Sequence, residues 1–130
     1  MTIAELGKKY KLDGKVDVWK CHDNWILTHD AITKIALIEN IKLSRIEPIY
    51  QSETSCRFLI TMVKEDKEGS VIDNVTSVGE ADNRNSKNNY YGSMAEKRGI
   101  DRCVLKLINA YQYGIYSEVE ADDFKKQEVK

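Results

Sequence analysis

Four cations are grouped on one stretch of the chain: Lys97, Arg98, Arg102 and Lys106. Arg98, Arg102 and Lys106 follow an i, i+4, i+8 spacing, so on a helix they stand one above another on the surface. Just upstream, the polar and asparagine-rich segment 82–93 carries Arg84, Lys87, Tyr90 and Tyr91. Between Arg84 and Lys106 lie six basic residues and two acidic ones, Glu96 and Asp101. This set suits a single-stranded nucleic acid, because cations track phosphates and aromatic faces accept bases. A solvated helix face with ordinary ion pairs is the plainer account of the same row.

Other groupings offer less. Glu118, Glu120, Asp122 and Asp123 could hold a divalent cation, as in a nuclease. On a helix, however, the first and third point differently from the second and fourth, and carboxylates also sit well at a helix start. Cys21, His22 and His29 lack the paired spacing of a zinc site, and a fourth ligand is not apparent. With two histidines in the chain, no Ser/His/Asp or Cys/His arrangement emerges. There is no G-x-x-x-x-G-K-[ST], so no P-loop for ATP is expected. No cofactor, metal or catalytic residue is expected.

These residues need elements to position them. Residues 1–14 are polar and basic, an arm or short helix with Lys8, Lys9 and Lys11 near Tyr10. Two short β-type runs follow, from Lys15 and from Trp25, joined by the polar four-residue loop Cys21-His22-Asp23-Asn24, and read as a hairpin. Asp30 to Ile41 has apolar residues at three- and four-residue spacing, an amphipathic helix with Thr28 or Asp30 at its start. Leu43 to Gln51 is β-type, and its Pro48 demands an edge or a bulge. Cys56 to Lys64 alternates most clearly, with Cys56, Phe58, Ile60 and Met62 on one face. After a polar turn at Glu65–Gly69, Ser70 to Val78 returns, completing a three-stranded meander. Ser93-x-x-Glu96 reads as a capping box opening a long helix from Met94 to about Tyr111. Its apolar stripe is Ile100, Cys103, Val104, Leu107, Ile108 and Tyr111. A second box, Ser117-x-x-Glu120, opens a short acidic helix. The expected fold is α+β: a β-hairpin, a helix, a three-stranded antiparallel meander and a long C-terminal helix packed on one sheet.

Bulk properties agree with a modest domain. The 130 residues fit one unit, organised as 1–14, a main domain over 15–116 and an acidic tail over 117–130. Twenty basic residues against twenty-one acidic give a net charge of −1. Any nucleic-acid site must therefore come from local clustering. Three scattered cysteines, with no C-x-x-C, suit free thiols in a reducing compartment. No signal peptide or membrane span is read, so a cytoplasmic location is expected.

The segment Gly79-Glu80-Ala81, Asn83, Tyr91, Met94-Ala95-Glu96-Lys97-Arg98, Asp101-Arg102 and Val104-Leu105-Lys106-Leu107, with Tyr116-Ser117-Glu118 and Glu120 to Phe124, resembles the C-terminal half of small phage recombination proteins. Those are similar to single-strand annealing proteins of the Rad-fifty-two-like superfamily. The order of elements from Lys15 onward is also similar. The resemblance implies a non-enzymatic, ATP-independent ring of subunits that binds single-stranded DNA in a basic groove and anneals complementary strands. It carries Arg102 to the DNA site, more loosely Lys97, Arg98 and Lys106, and Lys15 and Lys20 as groove-lining cations. Implied partners are single-stranded DNA, further copies of the chain, and a phage or host single-strand-binding protein or exonuclease. In a phage setting the location is the host cytoplasm.

Three other readings stay open on the residues themselves. One is a small metal-dependent nuclease using the acidic run. Another is a structural or regulatory phage protein that does not bind DNA. The third is an RNA-binding module, since the βββα order is similar to that of double-stranded RNA binders.

Overall fold

The computed structural model describes residues 2–84 and 90–121. Threonine hydroxyls open the first two helices. Thr2 accepts from the Glu5 N–H (3.1 Å) to start α1 (Ile3–Lys9), and Thr28 accepts from the Ala31 N–H (3.1 Å) to start α2 (His29–Ile38). Each bond satisfies a donor the helix itself leaves unpaired. α1 docks through Leu6 and Tyr10, both buried. The Tyr10 hydroxyl donates to Glu39 at the end of α2 (2.9 Å), and this carboxylate also meets Lys64 (2.7 Å).

The hairpin comprises β1 (Val18–Cys21) and β2 (Asn24–Leu27). Its turn is the two residues His22 and Asp23, not four, with His22 in the left-handed region at φ 58°. A longer sheet is built from β3 (Ile41–Gln51), β4 (Ser55–Glu65) and β5 (Val71–Asp82), an antiparallel meander with β4 in the centre. β3 is an edge strand and its register shifts at Leu43/Arg45 and again at Pro48/Tyr50. The proline thus sits where a missing N–H costs least. Cys56, Ile60 and Met62 of β4 are buried, with Phe58 half-buried on the same face.

The long helix α3 (Tyr91–Leu107) lies across β4 and β5. Small residues let it come close. A Cβ on Gly79 of β5 would fall 1.9 Å from the Ala95 carbonyl oxygen, and one on Gly99 of α3 would fall 2.4 Å from Ile60 Cδ1. Ala95, Gly99 and Cys103, spaced four apart, form the helix ridge on the sheet, and the Cys103 thiol donates to the Ile60 carbonyl. The helix starts at Tyr91, two residues before the expected capping box begins its first turn. Ser93 therefore lies exposed within that turn and does not cap it.

α3 ends at Leu107 rather than near Tyr111. Asn109 takes a left-handed conformation (φ 58°) and a 3₁₀ turn, Ala110–Tyr113, follows. Gly114 (φ 71°) then turns the chain into β6 (Ile115–Ser117), which pairs parallel with β2, Trp25 opposite Ile115 and Leu27 opposite Ser117. The hairpin and β6 make a second three-stranded sheet, so the helices pack on two sheets rather than one. One main core joins α1, α2, α3 and both sheets through residues such as Leu6, Leu27, Ile32, Ile35, Ile60, Val104 and Ile115.

Candidate nucleic-acid interface

The cationic row of α3 faces β5. The Arg98 guanidinium donates to the Glu80 carbonyl (2.8 Å), and Arg98 is 5% exposed, not on the surface. Arg102 makes a two-pronged bond to the Glu80 carboxylate, both contacts 2.9 Å, and a third to the Val78 carbonyl (2.7 Å). Lys106 is exposed, yet its ammonium donates to Ser77 Oγ (2.7 Å). The row is a seam between α3 and the outer edge of β5. Its arginines cover carbonyls on a strand that has no further strand beyond it among the described residues. An apolar stripe on its own implies one buried helix face. α3 instead meets the long sheet on one side, where Arg98 is buried against β5, and α2, β6 and the 3₁₀ turn on others, where Asp101 is buried against His29.

The remaining expected residues are spread over the molecule. Lys97 reaches toward Glu118 at 4.0 Å. Arg84 is exposed at the end of β5, its N–H donating to the Asp82 carboxylate. Tyr90 is 74% exposed, whereas Tyr91 packs half-buried near Ala81 and Ala95. Lys87 lies outside the described residues. Lys15 and Lys20 are both exposed on the opposite part of the sequence, before and on β1. They belong to a different surface from the α3 seam.

That surface is basic. Lys8, Lys11, Lys15 and Lys20 are all exposed. From residue 8 to residue 20 there are five lysines and two aspartates. One of these, Asp17, is buried; the Asp13 N–H donates to its carboxylate (2.8 Å) and Lys34 bonds it at 2.9 Å, and the two, the Asp13 bond foremost, hold its carboxyl below the usual range. Between α1 and the hairpin lies a cleft of 470 Å³ walled by Ile3, Leu12, Val18 and Trp25, with Lys8 at its side. Lys20, paired across the hairpin with Trp25, sets its ammonium 5.5 Å from the centre of the indole. An aromatic wall with Lys8 beside it and Lys20 over its indole is a pairing that the sequence reading did not make. Lys20 and Trp25 are five residues apart, and a two-residue turn between them was the signal that could have found it.

A second pairing also escaped the sequence. His29 Nδ1 lies 2.6 Å from the carboxylate of Asp101, which is fully buried on α3. The other Asp101 oxygen has no partner among the described residues. The Asp101 carboxylate raises the imidazole above its ordinary pKa, while burial pushes the Asp101 carboxyl up as well. The His29 N–H donates to Glu118 (3.0 Å), so this cluster ties α2, α3 and the segment after β6 together.

The acidic run is partly accounted for. Besides Glu118, Glu120 accepts from the Tyr111 hydroxyl (2.8 Å) and from the Ser117 hydroxyl (3.1 Å), and burial beside it raises the Tyr111 phenol. Among the described residues no three His, Cys, Asp or Glu side chains gather as a metal site, and Asp122 and Asp123 lie outside those residues. Cys21 is buried with Ile26 and Ala121, apart from His29. Among the described residues no helix is long and apolar enough to cross a membrane. Compared with known proteins, the chain matches no family model, no curated protein and no solved structure.

Proposed function

We propose that this chain binds single-stranded DNA without ATP and anneals complementary strands, acting as a ring of identical subunits in phage-type recombination. The observation that carries the reading is the run of exposed lysines from α1 to β1, Lys8, Lys11, Lys15 and Lys20, of which Lys8 lines the Trp25 cleft and Lys20 lies over the indole. The resemblance of the Gly79–Phe124 residues to annealing proteins adds to it. Lysines of this kind neutralise phosphate repulsion between two strands by releasing counterions, and sequence-tolerant contacts let the strands slide into register. No bond is made or broken, so the activity needs no catalytic residue. Each subunit presents few cations, and a ring multiplies weak sites into useful affinity.

In this reading Lys15 and Lys20 contact the strand, the exposed Arg84 and Tyr90 meet a second stretch of it, and Arg98 and Arg102 maintain the fold that presents both. The test is light scattering of the purified protein with a labelled single strand at ~50 and ~200 mM salt, the range over which phosphate contacts weaken. A large discrete oligomer with salt-sensitive, sequence-tolerant binding is expected, followed by acceleration of pairing between complementary strands. Competition with an RNA oligomer of the same sequence ranks DNA against RNA. A monomer that ignores DNA at both salts would end the proposal.

A further inference from the structure

We propose that the cleft between α1 and the hairpin is a nucleobase subsite, holding one unpaired base against the Trp25 indole with its phosphate beside Lys8 and Lys20. The inference rests on the single-strand reading above and names where a base would go. Three observations converge on it. The cleft, at 470 Å³, falls within the size range of small-ligand pockets, roughly 300–1,000 Å³. Its walls are apolar and aromatic, and its rim is cationic, which matches the two halves of a nucleotide. Two glycines contribute to its lining: Gly7 on α1 and Gly14 before β1, each with open space around the position of a Cβ, nothing lying within 4 Å.

The glycines are informative because their backbones do not require them. Gly7 sits inside a helix, where glycine costs about 1 kcal/mol relative to alanine. Neither Gly7 nor Gly14 has a positive φ. Each instead lines the cleft with no side chain of its own. Trp25 is half-buried, its indole anchored on the main core, so the aromatic wall is held in position before any ligand arrives. Lys20 and Lys8 supply charge from two different elements, and Lys11 and Lys15 adjoin the cleft residues Leu12 and Gly14 in the chain.

The experiment uses the full chain with Trp19→Phe, so that Trp25 is the remaining tryptophan, and follows its emission during titration at ~50 mM salt, where phosphate contacts are strong. Oligo-dT, oligo-U and an abasic strand of equal length are compared. Quenching by oligo-dT and not by the abasic strand is expected, with oligo-U reporting the preference for sugar. Gly7→Leu fills the cleft with a good helix former, and should remove the quenching and weaken oligo-dT binding roughly tenfold, the scale of one lost base stack. Lys20→Gln, on the exposed side of β1, should weaken both strands, and the contrast of oligo-dT with the abasic strand on the Trp19→Phe protein keeps the test decisive if Gly7→Leu fails to fold. Binding of oligo-dT with unchanged Trp25 emission, or equal quenching in Gly7→Leu, would overturn the subsite while leaving single-strand binding intact. Binding of no strand would overturn the single-strand reading and the subsite with it.

Discussion

Arg102 sits at the centre of the α3 seam, with a half-buried guanidinium holding both oxygens of Glu80 and a backbone carbonyl of β5. A fork-to-fork bond of this kind is directional, and losing it leaves Glu80 and Val78 without their partner. Arg102→Ala should therefore cost about 2 kcal/mol of stability, the scale of hydrogen bonds to charged groups. Urea denaturation checks that value. Strand affinity of the folded variant, followed by anisotropy, should change less than twofold. The His29–Asp101 pair makes a pH-dependent contribution at the same scale. The folded imidazole titrates above its unfolded value, so its stabilisation is fully present below the unfolded pKa and is lost as pH rises through the folded one. The raised Asp101 carboxyl acts in the same direction at lower pH. The stability advantage of the native chain over His29→Gln should shrink over a pH window that opens near the unfolded histidine pKa, about 6.5, and closes above the higher folded one. An advantage that is constant across that window would show that the pair is not charged.

At the level of elements, the contact of α3 with β5 depends on the absence of two side chains. Backbone approaches backbone at Gly79 and Gly99, and a methyl group at Gly79 would overlap the Ala95 carbonyl, which belongs to a rigid helix and cannot swing away. Gly79→Ala should cost about 3 kcal/mol, at the upper end of ordinary overpacking, and a shifted denaturation midpoint with an unchanged slope would measure it. The same geometry gives the Gly79-Glu80-Ala81 sequence a physical meaning. Gly79 admits the helix, Glu80 receives Arg102 and Arg98, and Ala81 is buried against Ala95. β3 is treated differently. It carries Pro48, two register shifts and an Arg45–Glu47 ion pair, all features that discourage another strand from adding at that edge.

Across the whole molecule, α3 covers β4 and β5 but leaves the helix-side residues of β3 in water. Leu43 and Ile46 are 43% and 37% exposed, and Leu37 and Ile38 on α2 are more so. Apolar residues grouped in this way mark contact surfaces. If the ring forms through this face, Ile46→Glu should lower the mass seen by light scattering to that of a smaller species. Circular dichroism should stay unchanged, because Ile46 lies outside the buried core. An unchanged oligomer would move the subunit contact elsewhere. The two basic regions of the sequence also separate at this scale: one is spent on holding α3 to β5, and the other remains exposed over α1 and the hairpin.

By itself the sequence determined the elements whose signals are local. Period-two alternation marked β4, three- and four-residue spacing marked α2 and most of α3, and Pro48 marked an edge. Thr28 was legible as a cap because its hydroxyl reaches only three residues ahead. The order of hairpin, helix, meander and helix followed from these alone. Tertiary structure decided what depends on partners distant in the chain. β6 is three residues long and exists because β2 offers it an edge ninety residues earlier. Arg98 looked like a surface cation because its burial comes from β5, not from its own helix. His29 and Asp101 meet across 72 residues, and Trp25 gains Lys8 and Gly7 as neighbours only when α1 folds back over the hairpin. Charge type and spacing are written in the chain, but whether a charge faces a carbonyl or the solvent is set by which element packs against it.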